Sequence, residues 1–248
     1  MKKVIVITGS SRGIGAATAL KAAALGYAVC INYVRDHDAA NAIVKKIQDQ
    51  QGKAIAICAD VSQEIDVKKL FNLVDDKLGT VNALVNNVGI LENKMRLDQM
   101  TMARLNKIFT TNITSHFLCA SQAVRRMSTK KGGNGGAIVN VSSAASRLGS
   151  AGEYIDYAAS KGAIDTLTIG LAREVADEGI RVNCVRPGFI YTDIHADGGE
   201  PNRVDRIKNE LPLKRGGTPE EVANAILWLL SEEASYVTGA FIDVAGGR

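Results

Sequence analysis

Seven short runs of β-branched and other apolar residues recur along the chain, and helical patterns fill the intervals between them. The runs are Lys3–Thr8, Ala28–Tyr33, Ala54–Ala59, Ala83–Asn86, Ala137–Ser142, Arg181–Val185 and Ala240–Val244. Strands that alternate with helices pair in parallel, and a parallel sheet needs helices over both faces. Val4-Ile5-Val6-Ile7 has no polar side, as a strand buried on both faces requires. Val67, Leu70, Phe71, Val74 and Leu78 recur at three- and four-residue steps, one face of a helix. Thr218-Pro219-Glu220-Glu221 has the pattern of a capping box with proline at the first helical position. Val222, Ile226 and Leu229 continue that helix on its apolar side. The expected fold class is α/β, a doubly wound parallel sheet of about seven strands in three layers.

The pattern does not change character anywhere, and no internal repeat is present. Lys130–Gly136, the one low-complexity stretch, reads as a surface loop between a helix and a strand. Residues 1–248 are therefore expected to form one domain, and a 46% apolar content is enough to fill its core. The net charge of +4 comes from 30 basic and 26 acidic residues spread along the chain. Only Arg125-Arg126 and Lys130-Lys131 are dense in base, which argues against nucleic acid as a partner.

Cys30, Cys58, Cys119 and Cys184 form no Cys-x-x-Cys pair, and His37, His116 and His195 form no pair at ligand spacing. Reduced thiols and no metal are expected. The apolar stretch after Met1-Lys2-Lys3 ends at Thr8-Gly9, too short for a signal sequence, and no later run could span a bilayer. A cytoplasmic protein with no membrane partner is the expectation.

Three glycines (Gly9, Gly13 and Gly15) follow the first run directly, and a helix-forming segment, Ala16–Leu25, comes next. Backbone amides at a helix N-terminus suit a pyrophosphate, and glycine lets it approach. Gly9, Ser11, Arg12, Gly13, Ile14 and Gly15 are thus a candidate phosphate cradle of Rossmann type. A tight strand-to-helix turn without a ligand would use the same residues. The second run ends Asn32-Tyr33-Val34-Arg35, with no acid before Asp36. An acid there holds the ribose 2′-hydroxyl of NAD, and arginine accommodates the 2′-phosphate of NADP. Asn32 and Tyr33 are candidate cofactor contacts, and Arg35 with Arg12 favours NADP(H), with NAD(H) the other possibility; solvated surface arginines are the competing explanation.

Tyr157 and Lys161 stand four apart in a helical segment and share one face. Bringing a tyrosine from its usual pKa of roughly 10 to about 7 takes some 4 kcal/mol of preference for the phenolate. An ammonium one turn away supplies part of that, and a cationic nicotinamide more. Tyr154 has no such partner, because Ala158 follows it at that step.

With these residues in place, the chain resembles the short-chain dehydrogenase/reductases over essentially its whole length. The resemblance rests on Thr8-Gly9-x3-Gly13-x-Gly15, Asp60-Val61, Asn86-Asn87-Val88-Gly89, Asn112, Val141-Ser142-Ser143, Tyr157-x3-Lys161, Arg181-Val182-Asn183 and Pro187-Gly188 through Thr192. It implies that Tyr157 exchanges a proton with the substrate oxygen and that Ser143 polarises the carbonyl. Lys161 would lower the Tyr157 pKa and hold the nicotinamide ribose, and Asn112 would interrupt its helix and anchor a water leading from Lys161 to solvent. Asp60 and Val61 would contact adenine, and Asn86, Asn87 and Gly89 would line the cleft. Pro187, Gly188, Ile190 and Thr192 would hold the nicotinamide end. Among three serines, Ser142, Ser143 and Ser146, the choice falls on Ser143, fourteen residues before Tyr157.

The resemblance further implies a homotetramer built from the helices near Met100–Met127 and Tyr157–Glu178 and the last strand. Phe109, Ile113, Phe117, Ile164, Leu167 and Leu171 exceed what one core face needs. The nearest likeness is to bacterial oxidoreductases labelled glucose 1-dehydrogenase-like. A 3-oxoacyl-[acyl-carrier-protein] reductase and a non-catalytic dinucleotide-binding regulator are the alternatives. Phe189–Arg215 reads as a mobile lid, and from Thr192 onward it balances five acids against five bases. That balance points to a small, neutral, oxygenated substrate.

Overall fold

The computed structural model describes residues 3–248. Met1 and Lys2, the start of the segment compared above with a signal sequence, lie outside the described residues. Seven strands form one parallel sheet: β1 (Lys3–Ile7), β2 (Tyr27–Tyr33), β3 (Ala54–Cys58), β4 (Ala83–Asn86), β5 (Gly136–Val141), β6 (Ile180–Pro187) and β7 (Phe241–Val244). Their order is β3-β2-β1-β4-β5-β6-β7. The order reverses between β1 and β4, where Ile5 pairs with Ala83 and Ile7 with Val85. Crossovers leave that point in opposite directions, so a crevice opens beyond the C-terminal ends of the two strands.

The helices are α1 (Gly13–Ala24), α2 (His37–Asp49), α3 (Glu64–Lys77), α4 (Met102–Phe109), α5 (Ser115–Met127), α6 (Ala145–Leu148), α7 (Ile155–Glu174), α8 (Ile194–Asp197), α9 (Arg203–Ile207) and α10 (Pro219–Leu230). Alternate side chains of each strand enter opposite cores. Ile5 and Ile7 of β1 pack with Ala19 of α1, Ile43 and Ile47 of α2, and Val222 and Ile226 of α10. Val4 and Val6 pack on the other side with Leu70, Phe71 and Val74 of α3, Cys119 and Ala123 of α5, and Ala172 of α7. These are the three layers that the unbroken apolar runs imply.

The boundaries follow local chemistry. The Thr218 hydroxyl accepts the Glu221 amide and the Glu221 carboxylate accepts the Thr218 amide, so the capping box is complete. Between α4 and α5 the chain widens into a π-helical turn, Thr110–Thr114, with Asn112 buried in it. Such a turn inserts one residue's worth of slack and re-aims a side chain. Of the four thiols, Cys30, Cys119 and Cys184 are buried and Cys58 is exposed; none is in a disulfide.

Candidate active site

The glycine turn is fixed from three sides. The Gly9 amide donates to Asn32 Oδ1 at 3.2 Å and the Ser10 amide to the Asn32 carbonyl at 2.9 Å, joining the turn to the end of β2. Asn87 Nδ2 donates to the Thr8 and Gly9 carbonyls at 2.9 and 3.0 Å, and the Asn87 amide donates to Thr8 Oγ1. A Cβ on Gly15 would lie 2.7 Å from the Gly9 carbonyl oxygen, so only glycine permits this close turn. Helix α1 starts with no side-chain cap and no acid in its first turn. Its first amides have no partner within the helix, and Gly13 and Ile14 border the cavity described below.

Other candidate residues take varied places. Asn32 is buried, with Nδ2 donating to the Ala59 carbonyl at 2.9 Å, and Tyr33 is buried with its hydroxyl 2.6 Å from His37 Nδ1. Arg35 is exposed at the end of β2, and among the described residues its guanidinium has no partner. The Asp60 amide donates to Asp66 and its carboxylate accepts the Ser62 amide; Val61 belongs to the core. Asn86 does not line the cleft. It is buried below it, donating to Asn140 Oδ1 at 2.9 Å, while Asn87 and Gly89 reach the cavity.

The end of β5 and the face of α7 bring the three reactive groups together. Burial raises the Tyr157 phenol to about 12, against a smaller lowering by its hydrogen bond with the Ser143 hydroxyl. Ser143 is thus the serine next to Tyr157. Ser142 Oγ turns to the Lys161 carbonyl at 3.1 Å and Ser146 Oγ to the Ser143 carbonyl at 2.9 Å.

Lys161 is buried, its Nζ donating to the Val141 carbonyl at 2.8 Å and lying 5.6 Å from the centre of the Tyr157 ring. Burial lowers its pKa to about 8, partly opposed by Cys184 and Asp165. The sequence leads one to expect Lys161 to draw Tyr157 down. In the protein alone, burial of the phenol outweighs its hydrogen bond with Ser143, and the Lys161 ammonium donates to the Val141 carbonyl. A Cβ on Gly89 would meet Lys161 Nζ at 3.2 Å, so glycine there leaves room for the ammonium. Asn112 Oδ1 accepts the Ile90 amide at 2.8 Å, and its Nδ2 donates to the Ile90 carbonyl and to Ser160 Oγ.

Gly89, Ser142, Ser143, Tyr157 and Lys161 line one cavity of about 380 Å³, bordered also by Gly9, Arg12, Gly13, Pro187, Gly188, Ile190 and Thr192, while Asn112 is buried outside that lining. Its lining also includes residues that no motif announces: Leu91, Leu148, Tyr154, His195, Arg203 and Arg248. The segment expected to be a mobile lid is seated over the cavity. The Tyr154 hydroxyl donates to the Gly198 carbonyl at 3.2 Å, buried Arg203 pairs with Glu153 and Glu200, and Val204, Ile207 and Leu211 are buried. Most lid charges neutralise one another or near neighbours: Glu200 meets Lys94 and Arg206, Asp205 meets Lys208, and Arg215 meets Glu221.

The family model described as enoyl-(acyl carrier protein) reductase matches residues 9–248. Over 245 residues the chain is 58% identical to an uncharacterized oxidoreductase, YgfF, of Escherichia coli, covering 99% of each. It is 36% identical over 247 residues to the 3-oxoacyl-[acyl-carrier-protein] reductase FabG of Staphylococcus epidermidis, covering 100% of this chain and 99% of that one. A solved short-chain dehydrogenase/reductase from Serratia marcescens superposes with a TM-score of 0.91 at 30% identity, over 99% of this chain and 97% of that one. The chain belongs to the short-chain dehydrogenase/reductase family.

As a member of that family it is an NAD(P)-dependent oxidoreductase acting on CH–OH or carbonyl groups. The residues present fit a dinucleotide: uncapped α1 amides, a glycine turn closed to any Cβ, and a crevice at the strand-order reversal. Among the described residues no cluster of His, Cys, Asp or Glu is placed to hold a metal ion, and no helix is long and apolar enough to cross a membrane.

Proposed function

We propose that this dehydrogenase/reductase uses NADP(H) and interconverts a small, neutral carbonyl compound and its secondary alcohol, with Tyr157 exchanging the proton. The observation that carries this reading is the meeting of Ser143, Tyr157 and Lys161 at one cavity. The cofactor, when bound, supplies or accepts the hydride. Tyr157, held as a neutral phenol by burial, is an acid ready to give its proton to a carbonyl oxygen. Ser143 donates to the same oxygen and stabilises the negative charge that develops there. Lys161, charged below about pH 8, holds the ribose hydroxyls and favours the phenolate left after transfer. Asn112, fixed by both backbone groups of Ile90, anchors the route by which the proton is replaced.

Preference for NADP(H) is supported by Arg12 on the glycine turn and by Arg35 past the end of β2, whose guanidinium is unpaired among the described residues. Two charge-assisted contacts at roughly 1.5–3 kcal/mol each would give well over tenfold. The self-neutralised lid supports an uncharged substrate, since it leaves little field at the cavity mouth. Similarity to a 3-oxoacyl-[acyl-carrier-protein] reductase favours a second reading, an acyl thioester. Against it, Lys130 is neutralised by Asp177 and offers an acidic carrier little charge. Exposed Phe117 and Ile169 on α5 and α7 support a homotetramer, although Ile164, counted above among the surplus, is core. A panel of acetoacetyl thioester, glucose, diketones and aldehydes with both cofactors tests the proposal. Diketone reduction with NADPH, or glucose oxidation with NADP, supports it, and a preference for aldehydes, whose products are primary alcohols, contradicts the secondary-alcohol part. Equal kcat/KM with NADH removes the cofactor half, and a hundredfold lead for the thioester promotes the second reading.

A further inference from the structure

Arg12 is not idle at the glycine turn. Its Nη2 is bonded to Asp197 Oδ2 at the end of α8, and its Nη1 lies 3.8 Å from Asp193 Oδ2. These two lid carboxylates are its only acidic neighbours among the described residues, and Arg12 is likewise the only cation paired with Asp197. The turn that bears Arg12 is tied to the end of β2, where the run Tyr33–Arg35 begins, through the Gly9 and Ser10 amides on Asn32. We propose that Asp197 is a specificity-determining residue that weakens NADP(H) binding by competing with the 2′-phosphate for Arg12. This inference rests on the NADP(H) reading above.

The physical case is one of exchange. The Arg12 and Asp197 side chains are 53% and 44% exposed, so their ion pair is worth little and can be broken. A 2′-phosphate carries close to two charges and three acceptor oxygens, and it displaces a single carboxylate from a guanidinium. The displaced contact is nevertheless a cost, and only a cofactor with the 2′-phosphate meets it. NAD(H) leaves the Arg12–Asp197 pair intact. The lid carboxylate therefore narrows the gap between the two cofactors, at a position 185 residues from the arginine it restrains.

Isothermal titration calorimetry with the full chain tests this. NADPH and NADH are titrated separately into wild type, Asp197→Asn, Asp193→Asn/Asp197→Asn, Arg12→Gln and Arg12→Gln/Asp197→Asn. Asp197→Asn should tighten NADPH by about 1.5- to 5-fold, the range of an exposed ion pair, and leave NADH unchanged. The double lid variant should gain at least as much, because Asp193 can no longer substitute. In the Arg12→Gln background the Asp197 substitution should have no effect. Equal tightening of NADH, or a gain that persists without Arg12, would mean a general loosening of the lid and overturn the proposal. So would unchanged NADPH affinity in both lid variants; if Arg12→Gln still weakens NADPH, the NADP(H) reading survives that failure. If wild type binds NADH as tightly as NADPH and Arg12→Gln loses nothing, both readings fall.

Discussion

Arg104 and Asp156 form a buried ion pair immediately before Tyr157, with Nε 2.7 Å from Oδ2 and side-chain exposures of 8% and 0%. Asp156 Oδ1 also accepts the Tyr157 amide at 2.9 Å, and Arg104 Nη1 donates to the Asn93 carbonyl at 2.6 Å. The ion pair thus joins α4, the loop after β4 and the first turn of α7. Removing it strands a guanidinium that is itself nearly buried. Asp156→Ala should cost about 3–5 kcal/mol in urea unfolding, the usual loss when one partner of a buried pair is removed. Arg104→Met/Asp156→Leu should recover part of that loss. A single-variant cost below about 1 kcal/mol, the range of exposed pairs, would show that the pair is solvated.

Lys161 gives the protein a signed pH dependence. Its folded pKa of about 8 lies below the ordinary 10.5, so between those values the unfolded chain binds more protons than the folded one. Stability contributed at this site therefore rises with pH across that window, and the cost of burying the charge is fully present below it. Buried Cys30, Cys119 and Cys184, all raised by burial, act in the opposite direction as the unfolded thiols ionise. The clean observable is the difference between wild type and Lys161→Met in unfolding free energy. That difference should move in favour of wild type by about 3 kcal/mol between pH 7.5 and 10.5. A flat difference would mean that Lys161 titrates as it does in water.

Much of the fold was legible because the sheet is buried on both faces, so each strand is an unbroken apolar run whose ends are easy to see. The glycine turn and the Thr218 capping box were legible for the same kind of reason, since local spacing sets them, whereas the choice of Ser143 came from the family resemblance. The rest of the cavity lining was not legible. Arg203 reaches Tyr154 and Phe189 rings at 4.7 and 5.6 Å, and Arg12 reaches Asp197, across separations that no local pattern encodes. The burial that raises the Tyr157 phenol was not legible either, because it depends on how tightly the surrounding chain closes. Asn86 was misplaced because two adjacent asparagines on a strand end face opposite ways, one to the core and one to the cleft.

The proposed homotetramer predicts a measurable mass. Phe117 is 50% and Ile169 is 40% exposed on the faces of α5 and α7, which is unfavourable for large apolar groups left in water. Light scattering at micromolar concentration should give four times the 26.3 kDa chain mass. Phe117→Lys should shift the population toward smaller species. A monomer in the unaltered protein would contradict the assembly.

Proton transfer by Tyr157 is the step on which the proposed chemistry depends. Tyr157→Phe removes the hydroxyl and keeps the ring over which Lys161 lies, so the cavity and the cofactor surface stay as they are. The measurement is kcat for carbonyl reduction alongside the NADPH dissociation constant of the same preparation. The expected kcat is lower by about a hundredfold or more, the scale of a lost general acid, with NADPH affinity within about twofold. A variant that keeps more than about a tenth of the wild-type kcat would contradict that role of Tyr157, because proton transfer at that rate must then come from another group.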